Sequence, residues 1–424
     1  MNWIKRDQNV IWHPYTPLLS EDMPIAIQRG EGSYLIDFDN KRYIDAISSW
    51  WVNLHGHSHP YIAQKVYEQL LQLEHVIFAR FTHQPAIELA ERLLSLFDGA
   101  FQKVFYSDNG STAVEVALKM CVQFWDNRHR PKNKIIAFEN AYHGDTFGAM
   151  SVGARSAFTK AYTPLLFDVY HTPVPFLDQT VAIEQFENYV KQHADDVACF
   201  IFEPLIQGAG GMLMYPPENL DTLLSICKQY DVLTIADEVM TGFGRTGKLF
   251  ACDYLQHKPD IICLSKGISG GVLPLAATLC NETIIEAFHT AEREKMLFHG
   301  HSFTANPTAC AAALASLDLL LKNDTLSNIH RIAMQHQHFK ERIAAHPRLK
   351  NVRQTGTIIA MDWQNEEQDS YFNSIGQRLS TFFLKHGILL RPLGNVLYIL
   401  PPYCTNEQEL QYIYEKIEDA LSLF

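Results

Sequence analysis

Short apolar runs separated by polar and glycine-rich stretches dominate the middle of the chain. Each run is four or five residues long and rich in β-branched, aromatic and other apolar residues, and the runs lie at residues 134–138, 198–202, 233–236, 261–264 and 275–279. Stretches of helical period lie between them, for example over residues 219–230. Continuous apolar strands that alternate with helices are typical of a mainly parallel sheet covered on both faces. The pattern therefore predicts an α/β domain.

The N-terminal part of the chain has a different pattern. Residues 33–37 and 43–47 are separated by the turn Asp39-Asn40-Lys41 and alternate between apolar and polar positions. Alternation on both sides of a short polar turn predicts an antiparallel hairpin. Residues 61–100 are largely helical by pattern.

The pattern changes again after about residue 305, to a helix over residues 308–321, a second polar-faced helix, and two strand-like runs near the C-terminus. This predicts a smaller α+β domain. We place the large domain at residues 51–305, the C-terminal small domain at residues 306–424, and the N-terminal part of the small domain at residues 1–50.

Composition narrows the class of protein. The chain has 424 residues, of which 47% are hydrophobic, so it is long enough to bury a large core. A net charge of −12, with no basic run, argues against nucleic acid or an acidic membrane surface as a partner. No stretch is apolar enough for a signal peptide or a membrane span, and the eight scattered cysteines form no Cys-x-x-Cys pair. We expect a cytoplasmic enzyme with reduced thiols.

Two of the apolar runs end in residues that carry chemistry. The run at 233–236 leads into Asp237, and the run at 261–264 leads into Ser265 and Lys266. A lysine that bonds to the aldehyde of pyridoxal phosphate, and a carboxylate that keeps the pyridine nitrogen protonated, are the pair that pyridoxal-phosphate catalysis needs. Taken alone, the pair is more often a set of solvated loop residues, so the surrounding motifs decide between the two interpretations.

A third strand leads into a polar loop and a helix. Residues 103–106 run into Ser107-Asp108-Asn109-Gly110-Ser111-Thr112, and a helical stretch follows. Free backbone N–H groups and the positive end of a helix dipole suit a phosphate group, although a plain capping turn would use the same residue types. Two further strand ends lead into Tyr142-His143-Gly144-Asp145 and Glu203-Pro204. Convergence of such residues at one edge of a parallel sheet is typical of a ligand site.

Two other motifs carry less weight. His55, His57 and His59 stand at alternate positions, as metal ligands on a strand could, but Gly56 and Pro60 disfavour a regular strand and no fourth ligand follows at useful spacing. We therefore predict a turn before a helix and no metal. Residues 242–247 match the dinucleotide-binding string G-x-G-x-x-G, but no helix opens directly behind them, so a dinucleotide dehydrogenase is a weak alternative.

Together these motifs resemble the class III pyridoxal-phosphate aminotransferases. The resemblance rests on residues 107–111, 142–144, 203–204 and 236–251, and on Ser265-Lys266-Gly267, in the order and spacing of that family. It implies a fold-type-I transferase, with a large domain built on a mainly parallel seven-stranded sheet. It also implies that Lys266 binds the cofactor and moves a proton, that Asp237 pairs with the pyridine nitrogen, that Gly110 and Ser111 hold the phosphate, and that Tyr142 stacks on the ring.

The resemblance extends to residues outside the cofactor motifs. Trp12-His13-Pro14-Tyr15-Thr16, Ser48-Ser49-Trp50-Trp51 and Leu390-Arg391-Pro392 match the branch of the family that aminates 8-amino-7-oxononanoate with S-adenosylmethionine. The match implies that Tyr15 and Trp50 line the substrate pocket, with a catalytic hydroxyl from Tyr15. It also implies that Arg391 grips the far carboxylate of the acceptor. A structural ion pair is the alternative for Arg391.

Three further positions complete the expected site. Asp145 would favour a cationic amino donor, and both S-adenosylmethionine and lysine are cationic. Arg245 would bind a second carboxylate or belong to the scaffold. The family implies a homodimer in which Gly300 contacts substrate and Ser302 contacts the phosphate of the neighbouring subunit's cofactor. Ser302 has the hydroxyl group, but not the methyl group, of the threonine usual there.

The expected activity is therefore transfer of an amino group from S-adenosylmethionine to 8-amino-7-oxononanoate, a step of biotin synthesis. Lysine as the donor, and another ω-amino-acid transaminase or a mutase of class III, are the alternatives within the family. A cofactor-binding regulator without activity is a further alternative, but it would not need an intact lysine, carboxylate and substrate wall.

Overall fold

A computed structural model describes residues 3–19, 23–176, 180–364 and 371–424. The helices of this part are α1 (Trp3–Val10), α2 (Ser48–Trp51), α3 (Pro60–Gln72), α4 (Gln84–Ser95), α5 (Gly110–Asn127), α6 (Phe147–Val152), α7 (Thr180–His193), α8 (Pro217–Gln229), α9 (Glu282–Phe288), α10 (Pro307–Leu320), α11 (Asn323–Ile343), α12 (Ser374–Lys385) and α13 (Glu407–Leu423). The strands are β1 (Ile27–Glu31), β2 (Tyr34–Asp37), β3 (Arg42–Asp45), β4 (Lys103–Ser107), β5 (Lys134–Phe138), β6 (Tyr170–Thr172), β7 (Val197–Phe202), β8 (Ile206–Gln207), β9 (Leu213–Met214), β10 (Leu233–Asp237), β11 (Ile261–Leu264), β12 (Ala276–Cys280), β13 (Leu349–Thr355), β14 (Ile358–Trp363), β15 (Ile388–Leu389) and β16 (Val396–Ile399).

The central sheet has seven strands in the order β4-β12-β11-β10-β7-β5-β6. Strand β12 runs antiparallel to both of its neighbours, and the other pairs are parallel. Strands β4, β5, β7, β10 and β11 therefore all point the same way and end at the same edge. This confirms the mainly parallel seven-stranded sheet expected from the sequence, and it brings Gly110, Ser111, Tyr142, Asp237 and Lys266 to one edge.

Both faces of this sheet are covered, which explains why its strands are continuously apolar. Along β11, Ile261 and Cys263 belong to one hydrophobic cluster while Ile262 and Leu264 belong to another, and all four are fully buried. Burial of a side chain of this kind stabilises the fold by roughly 1.5–3 kcal/mol. Helix α5 covers the face that carries Ile261 and Cys263.

The ends of the chain meet in a second region. The predicted hairpin is present as β2 and β3, which pair antiparallel, and β15 near the C-terminus pairs with β3 in parallel. Strands β13, β14 and β16 form a separate antiparallel sheet. The joining of β3 to β15 supports placing the N-terminal residues with the C-terminal domain, while the boundaries near 50 and 305 stay predictions.

The structure adds several strands that the sequence pattern did not indicate, and β13 is the longest of them. Residues of β13 (Leu349–Thr355) are mostly polar, and only Leu349 is fully covered, because β13 lies at the edge of its sheet. A half-exposed edge strand lacks the apolar run by which the central strands could be recognised. Among the described residues, no helix has the length and apolar character that crossing a membrane requires.

Candidate active site

A cavity of about 420 Å³ lies at the edge of the sheet where the parallel strands end. Its walls include five of the residues that the sequence singled out, Gly110, Ser111, Tyr142, Asp237 and Lys266. They lie at or just after the carboxyl ends of four strands: Gly110 and Ser111 follow β4, Tyr142 follows β5, Asp237 ends β10 and Lys266 follows β11. The shared direction of these strands is therefore the physical reason that distant stretches of the sequence meet.

Lys266 lies at the start of a short 3-10 helix directly after β11. Its Nζ atom is 4.5 Å from the centre of the Trp51 ring. Burial lowers the pKa of Lys266 to about 8, and this effect is opposed by the negative charges of Asp237 and Glu203. At pH 7 roughly a tenth of this amine is therefore neutral, against well under a thousandth for an ordinary lysine. A neutral amine is what a nucleophile or a base requires.

Asp237 is buried at the end of β10 and is held on both oxygens. Its Oδ1 accepts a hydrogen bond from the backbone N–H of Val239 at 3.1 Å, and its Oδ2 lies 2.7 Å from Nδ1 of His143. A histidine that donates to this carboxylate fixes its orientation. The sequence motif contained His143, but nothing in its spacing indicated that it would contact Asp237.

Glu203 is a second buried carboxyl group beside this pair. It accepts hydrogen bonds from the backbone N–H groups of Tyr142 at 3.1 Å and Gly208 at 3.0 Å. Burial raises the pKa of Glu203 to about 7, while the neighbouring His143 lowers it. Because one of its bonds goes to the backbone of Tyr142, a residue of the cavity wall, Glu203 fixes the loop that carries Tyr142.

The N-terminus of α5 has the properties of a phosphate site. Asn109 caps the helix by accepting a bond from the Thr112 N–H, whereas the N–H groups of Gly110 and Ser111 have no acceptor among the described residues. A Cβ atom on Gly110 would lie 2.7 Å from a methyl carbon of Val239, which explains the glycine. Two free N–H groups at the positive end of an 18-residue helix, facing a cavity, fit a phosphate group.

An aromatic wall adjoins the cavity at Tyr142, although Tyr15, Trp50 and Asp145 do not themselves line the cavity. The rings of Tyr15 and Trp50 lie 5.8 Å apart, and Tyr15 donates a hydrogen bond of 2.5 Å to Asp145. Burial and this bond raise the pKa of Tyr15 to about 12, so its hydroxyl stays protonated at neutral pH. Tyr142 interacts with both Tyr15 and Asp145 and also lines the cavity, so it joins the wall to the lysine site.

Arg391 lies against the same wall. Its guanidinium carbon is 4.1 Å from the centre of the Trp50 ring, and its Nη2 donates to the hydroxyl of Tyr371 at 3.2 Å. No carboxylate forms an ion pair with Arg391 in the part of the chain that the structure describes. The alternative of a structural ion pair requires such a carboxylate and is therefore not supported. That Arg391 binds the carboxylate of the acceptor stays a prediction.

Arg245 has a different environment. It is fully buried and donates to three backbone carbonyls, those of Pro401 at 2.9 Å, Asn53 at 3.0 Å and Trp51 at 3.3 Å. These contacts give direct support to the scaffold alternative. The alternative that Arg245 binds a substrate carboxylate stays a prediction.

Gly300 and Ser302 are exposed and do not line the cavity. The segment that carries them is fastened to α5, since Lys119 donates to the carbonyl of Phe298 at 3.0 Å. An exposed position outside the cavity of its own subunit agrees with a contribution to a neighbouring one. The assignments of Gly300 and Ser302 stay predictions.

The Trp50–Trp51 pair lies on the most unusual backbone in the site. All four residues of α2 have positive φ values, 51° for Ser48, 44° for Ser49, 69° for Trp50 and 73° for Trp51. A left-handed turn costs roughly 1–2 kcal/mol for each residue other than glycine, so it persists only where its surroundings hold it. Trp51, whose ring faces Lys266, was not among the residues that sequence reasoning placed in the site.

The two weaker motifs also have definite structures. His55 lies 3.0 Å from the hydroxyl of Ser316 and His57 lies 2.9 Å from Asp45, and no three metal-binding side chains converge in the described part of the chain. The stretch at 242–247 forms turns and leads to a 3-10 helix, Ala251–Tyr254, not into an α-helix. A dinucleotide-binding loop opens directly into an α-helix, and this stretch does not.

Comparison with known proteins agrees with this geometry. The family model of the class-III aminotransferases matches residues 16–421. The chain belongs to the class-III aminotransferases and is a pyridoxal-phosphate enzyme. An adenosylmethionine-8-amino-7-oxononanoate aminotransferase from Synechococcus elongatus is 47% identical to it, over 97% of this chain and 98% of the relative. The relative of the same name from Helicobacter pylori is 38% identical, over 96% and 94%.

Solved structures show the same fold. The crystal structure of the adenosylmethionine-8-amino-7-oxononanoate aminotransferase from Methanocaldococcus jannaschii superposes with a TM-score of 0.94 at 37% identity, and covers 99% of this chain and 98% of that one. An omega transaminase from Pseudomonas jessenii in complex with PMP superposes with a TM-score of 0.93 at 28% identity, over 100% and 98%. The fold-type-I architecture expected from the sequence is thereby confirmed.

Proposed function

We propose that this enzyme transfers the amino group of S-adenosylmethionine to 8-amino-7-oxononanoate and so makes 7,8-diaminononanoate for biotin synthesis. The choice of acceptor rests on the guanidinium of Arg391, which has no carboxylate partner in the described part of the chain and lies on the Trp50 ring beside the lysine cavity. An aliphatic acid that enters along this aromatic wall would place its carboxylate on Arg391 and its ketone toward Lys266. The names of the full-length relatives support the same pair of substrates.

Bound pyridoxal phosphate supplies an aldehyde that takes up an amino group and an aromatic ring that accepts electrons. Gly110 and Ser111 would hold its phosphate, and Asp237, oriented by His143, would hold its ring nitrogen. Lys266 would hold the cofactor and then, as a partly neutral amine, move a proton to and from the reacting carbon. Donor and acceptor would use one cavity in turn, which requires ping-pong kinetics.

The aromatic wall would also select the donor. Asp145 is exposed and carries the hydrogen bond of Tyr15, so a cationic group that approaches the wall meets a carboxylate. The Tyr15 hydroxyl donates its single proton to Asp145, so its oxygen remains able to accept a hydrogen bond from a substrate amine or ammonium group near the reacting centre. Lysine as the donor satisfies the same charge, so donor identity needs a direct test.

An absorbance experiment on the purified enzyme separates these alternatives. S-adenosylmethionine or lysine is added alone, in the absence of acceptor, and the near-visible band of the bound cofactor is followed. We expect S-adenosylmethionine to abolish the band and 8-amino-7-oxononanoate to restore it. If only lysine abolishes the band, the acceptor assignment stands and lysine is the donor. Restoration only by other ketones would instead favour an ω-transaminase, which the similarity to the Pseudomonas jessenii enzyme makes the second candidate.

We further propose that the enzyme is a homodimer whose active sites are shared. The supporting observation is that Gly300 and Ser302 lie on an exposed segment outside the cavity of their own chain. Sedimentation equilibrium should give twice the chain mass of 48.4 kDa. A monomer that retains full activity would contradict the proposal.

The cytoplasm is the compartment we propose for it. All eight cysteines are free and seven of them are buried, as reduced thiols of a core are. Fractionation of cells that express the protein would test this placement, and recovery outside the cytoplasmic fraction would contradict it.

A further inference from the structure

The left-handed turn α2 is held at its start by the carboxylate of Asp45. This side chain is fully buried. It accepts a hydrogen bond from the Ser49 N–H at 2.9 Å and another from the Ser49 hydroxyl at 2.7 Å. A turn of strained residues relaxes unless bonds of this kind determine its conformation. Asp45 therefore acts on the turn that carries Trp50, although it does not itself line the cavity.

His57 ties the end of the same turn to this carboxylate. Its Nε2 lies 2.9 Å from Oδ2 of Asp45 and its Nδ1 lies 3.2 Å from the side-chain nitrogen of Asn53. The side-chain oxygen of Asn53 accepts the Gly56 N–H at 2.8 Å. A neutral histidine that donates from Nε2 and accepts at Nδ1 satisfies both neighbours. Residues on either side of α2 are thus joined in one network, which gives the second histidine of the sequence motif a role.

The two tryptophans of the turn differ in how far they depend on this network. Trp51 has anchors of its own, because its indole N–H donates to the Tyr398 hydroxyl at 3.0 Å and its carbonyl accepts from Arg245 at 3.3 Å. Trp50 is 39% exposed, and its ring contacts the Tyr15 ring in an edge-to-face arrangement and has the Arg391 guanidinium over its face. The orientation of Trp50 therefore follows the backbone of the turn more closely than that of Trp51 does.

We propose that Asp45, together with His57, is a positioning residue for the amino acceptor. It holds the left-handed turn that presents Trp50 as a platform for Arg391, and so sets how tightly the carboxylate of the acceptor is bound. The inference rests on the proposed function, in which Arg391 receives that carboxylate. It adds a specificity-determining network beneath the cavity wall, at residues that touch neither substrate nor cofactor.

The test is a double-mutant cycle between Asp45→Asn and Trp50→Ala. Asparagine keeps the shape of the side chain but loses the charge that His57 and Ser49 contact. We expect Asp45→Asn alone to raise the KM for 8-amino-7-oxononanoate about tenfold, the effect of one charged hydrogen bond. The donor half-reaction, measured without acceptor, should change far less. In the Trp50→Ala background the same substitution should leave the acceptor KM unchanged, because its effect passes through Trp50.

A matched control is Asp221→Asn. Asp221 also accepts backbone N–H bonds, from Gln256 and His257, and lies 3.4 Å from the His257 ring. Like Asp45 it does not line the cavity, but these partners do not belong to α2. The Asp221→Asn variant should leave the acceptor KM unchanged. The proposal would be overturned if Asp45→Asn and Trp50→Ala had additive effects on the acceptor KM, or if Asp221→Asn raised that KM as much as Asp45→Asn does. If Asp45→Asn does not fold, Ser49→Ala can be used instead, because it removes one bond of the network. It should also raise the acceptor KM, and an unchanged KM would overturn the proposal.

A measurement without substrate separates failure of this inference from failure of the proposed function. The near-ultraviolet circular dichroism of the wild-type protein minus that of Trp50→Ala defines the signal of an ordered Trp50. Asp45→Asn should lose this signal, whatever substrates the enzyme accepts. Retention of the signal in a folded Asp45→Asn protein would overturn the positioning role. If the signal is lost while the wild-type enzyme does not use the oxononanoate, the network holds Trp50 and the proposed acceptor is wrong.

Discussion

We expect the Lys266→Ala variant to lose essentially all turnover while it keeps its fold. Proton transfer by a positioned side chain contributes roughly 10²- to 10⁴-fold to a rate, and the same lysine also attaches the cofactor, so the two losses combine. The methyl group of alanine leaves space in a cavity of about 420 Å³ and removes a buried amine, so stability should change little. Initial rates and the near-visible absorbance of the protein with added cofactor measure the two effects.

A lysine outside the cavity provides the control. Lys258 is exposed and donates to the carbonyls of Cys252 and Leu255, and Lys258→Ala should keep both turnover and the absorbance band. Substantial turnover by Lys266→Ala without an added amine would contradict the assignment of this lysine.

The same lysine sets a pH dependence in the cofactor-free protein. Because the folded pKa of Lys266 is lowered to about 8, its amine becomes neutral and able to attack an aldehyde as the pH rises through that value. The rate at which the cofactor-free wild-type protein acquires the absorbance band should therefore rise between pH 6 and about 8 and level off above it. Lys266→Ala should acquire no band at any pH. A rate that still rises steeply above pH 9 would indicate an ordinary lysine.

Much of the fold and of the cofactor site could be predicted from the sequence, because each depends on local pattern. The apolar runs that end in Asp237 and Lys266 are β10 and β11 as predicted, with β10 one residue longer. Parallel strands that share a direction deliver their carboxyl ends to one edge, so the meeting of these two residues followed from the order of elements. The polar stretch around the start of α5 likewise contains Gly110 and Ser111, whose N–H groups have no acceptor among the described residues.

What could not be predicted depends on contacts between distant segments or on unusual backbone. The pairing of Asp237 with His143 joins residues 94 positions apart, and no spacing rule indicates it. The four positive φ values of α2 occur in residues that are not glycine, so the sequence Ser48-Ser49-Trp50-Trp51 gives no sign of a left-handed turn. The sequence also gave no sign of the two residues proposed to hold this turn. Asp45 was an ordinary strand residue, and His57 was one of three histidines weighed as metal ligands.

Arg391→Ala should raise the KM for 8-amino-7-oxononanoate while sparing the donor half-reaction. A charge-assisted bond between a guanidinium and a carboxylate contributes about 1.5–3 kcal/mol, so we expect a rise of roughly 10- to 150-fold. The donor half-reaction, followed by absorbance without acceptor, does not use this carboxylate and should be much less affected. Arg391→Lys should recover only part of the loss, because an ammonium group cannot bind a carboxylate with two parallel bonds.

The control for Arg391 is an arginine with the same kind of aromatic contact elsewhere. The guanidinium carbon of Arg378 lies 4.7 Å from the centre of the Phe424 ring, away from the cavity, so Arg378→Ala removes a similar stacking contact without touching the wall. If Arg391 binds substrate, only its own replacement changes the acceptor KM. Equal damage to both half-reactions in Arg391→Ala would mean that the arginine supports Trp50 and the wall as scaffold. In that case the carboxylate of the acceptor must bind to another cation, and Arg245, whose Nε has no hydrogen-bond acceptor among the described residues, is the next to test.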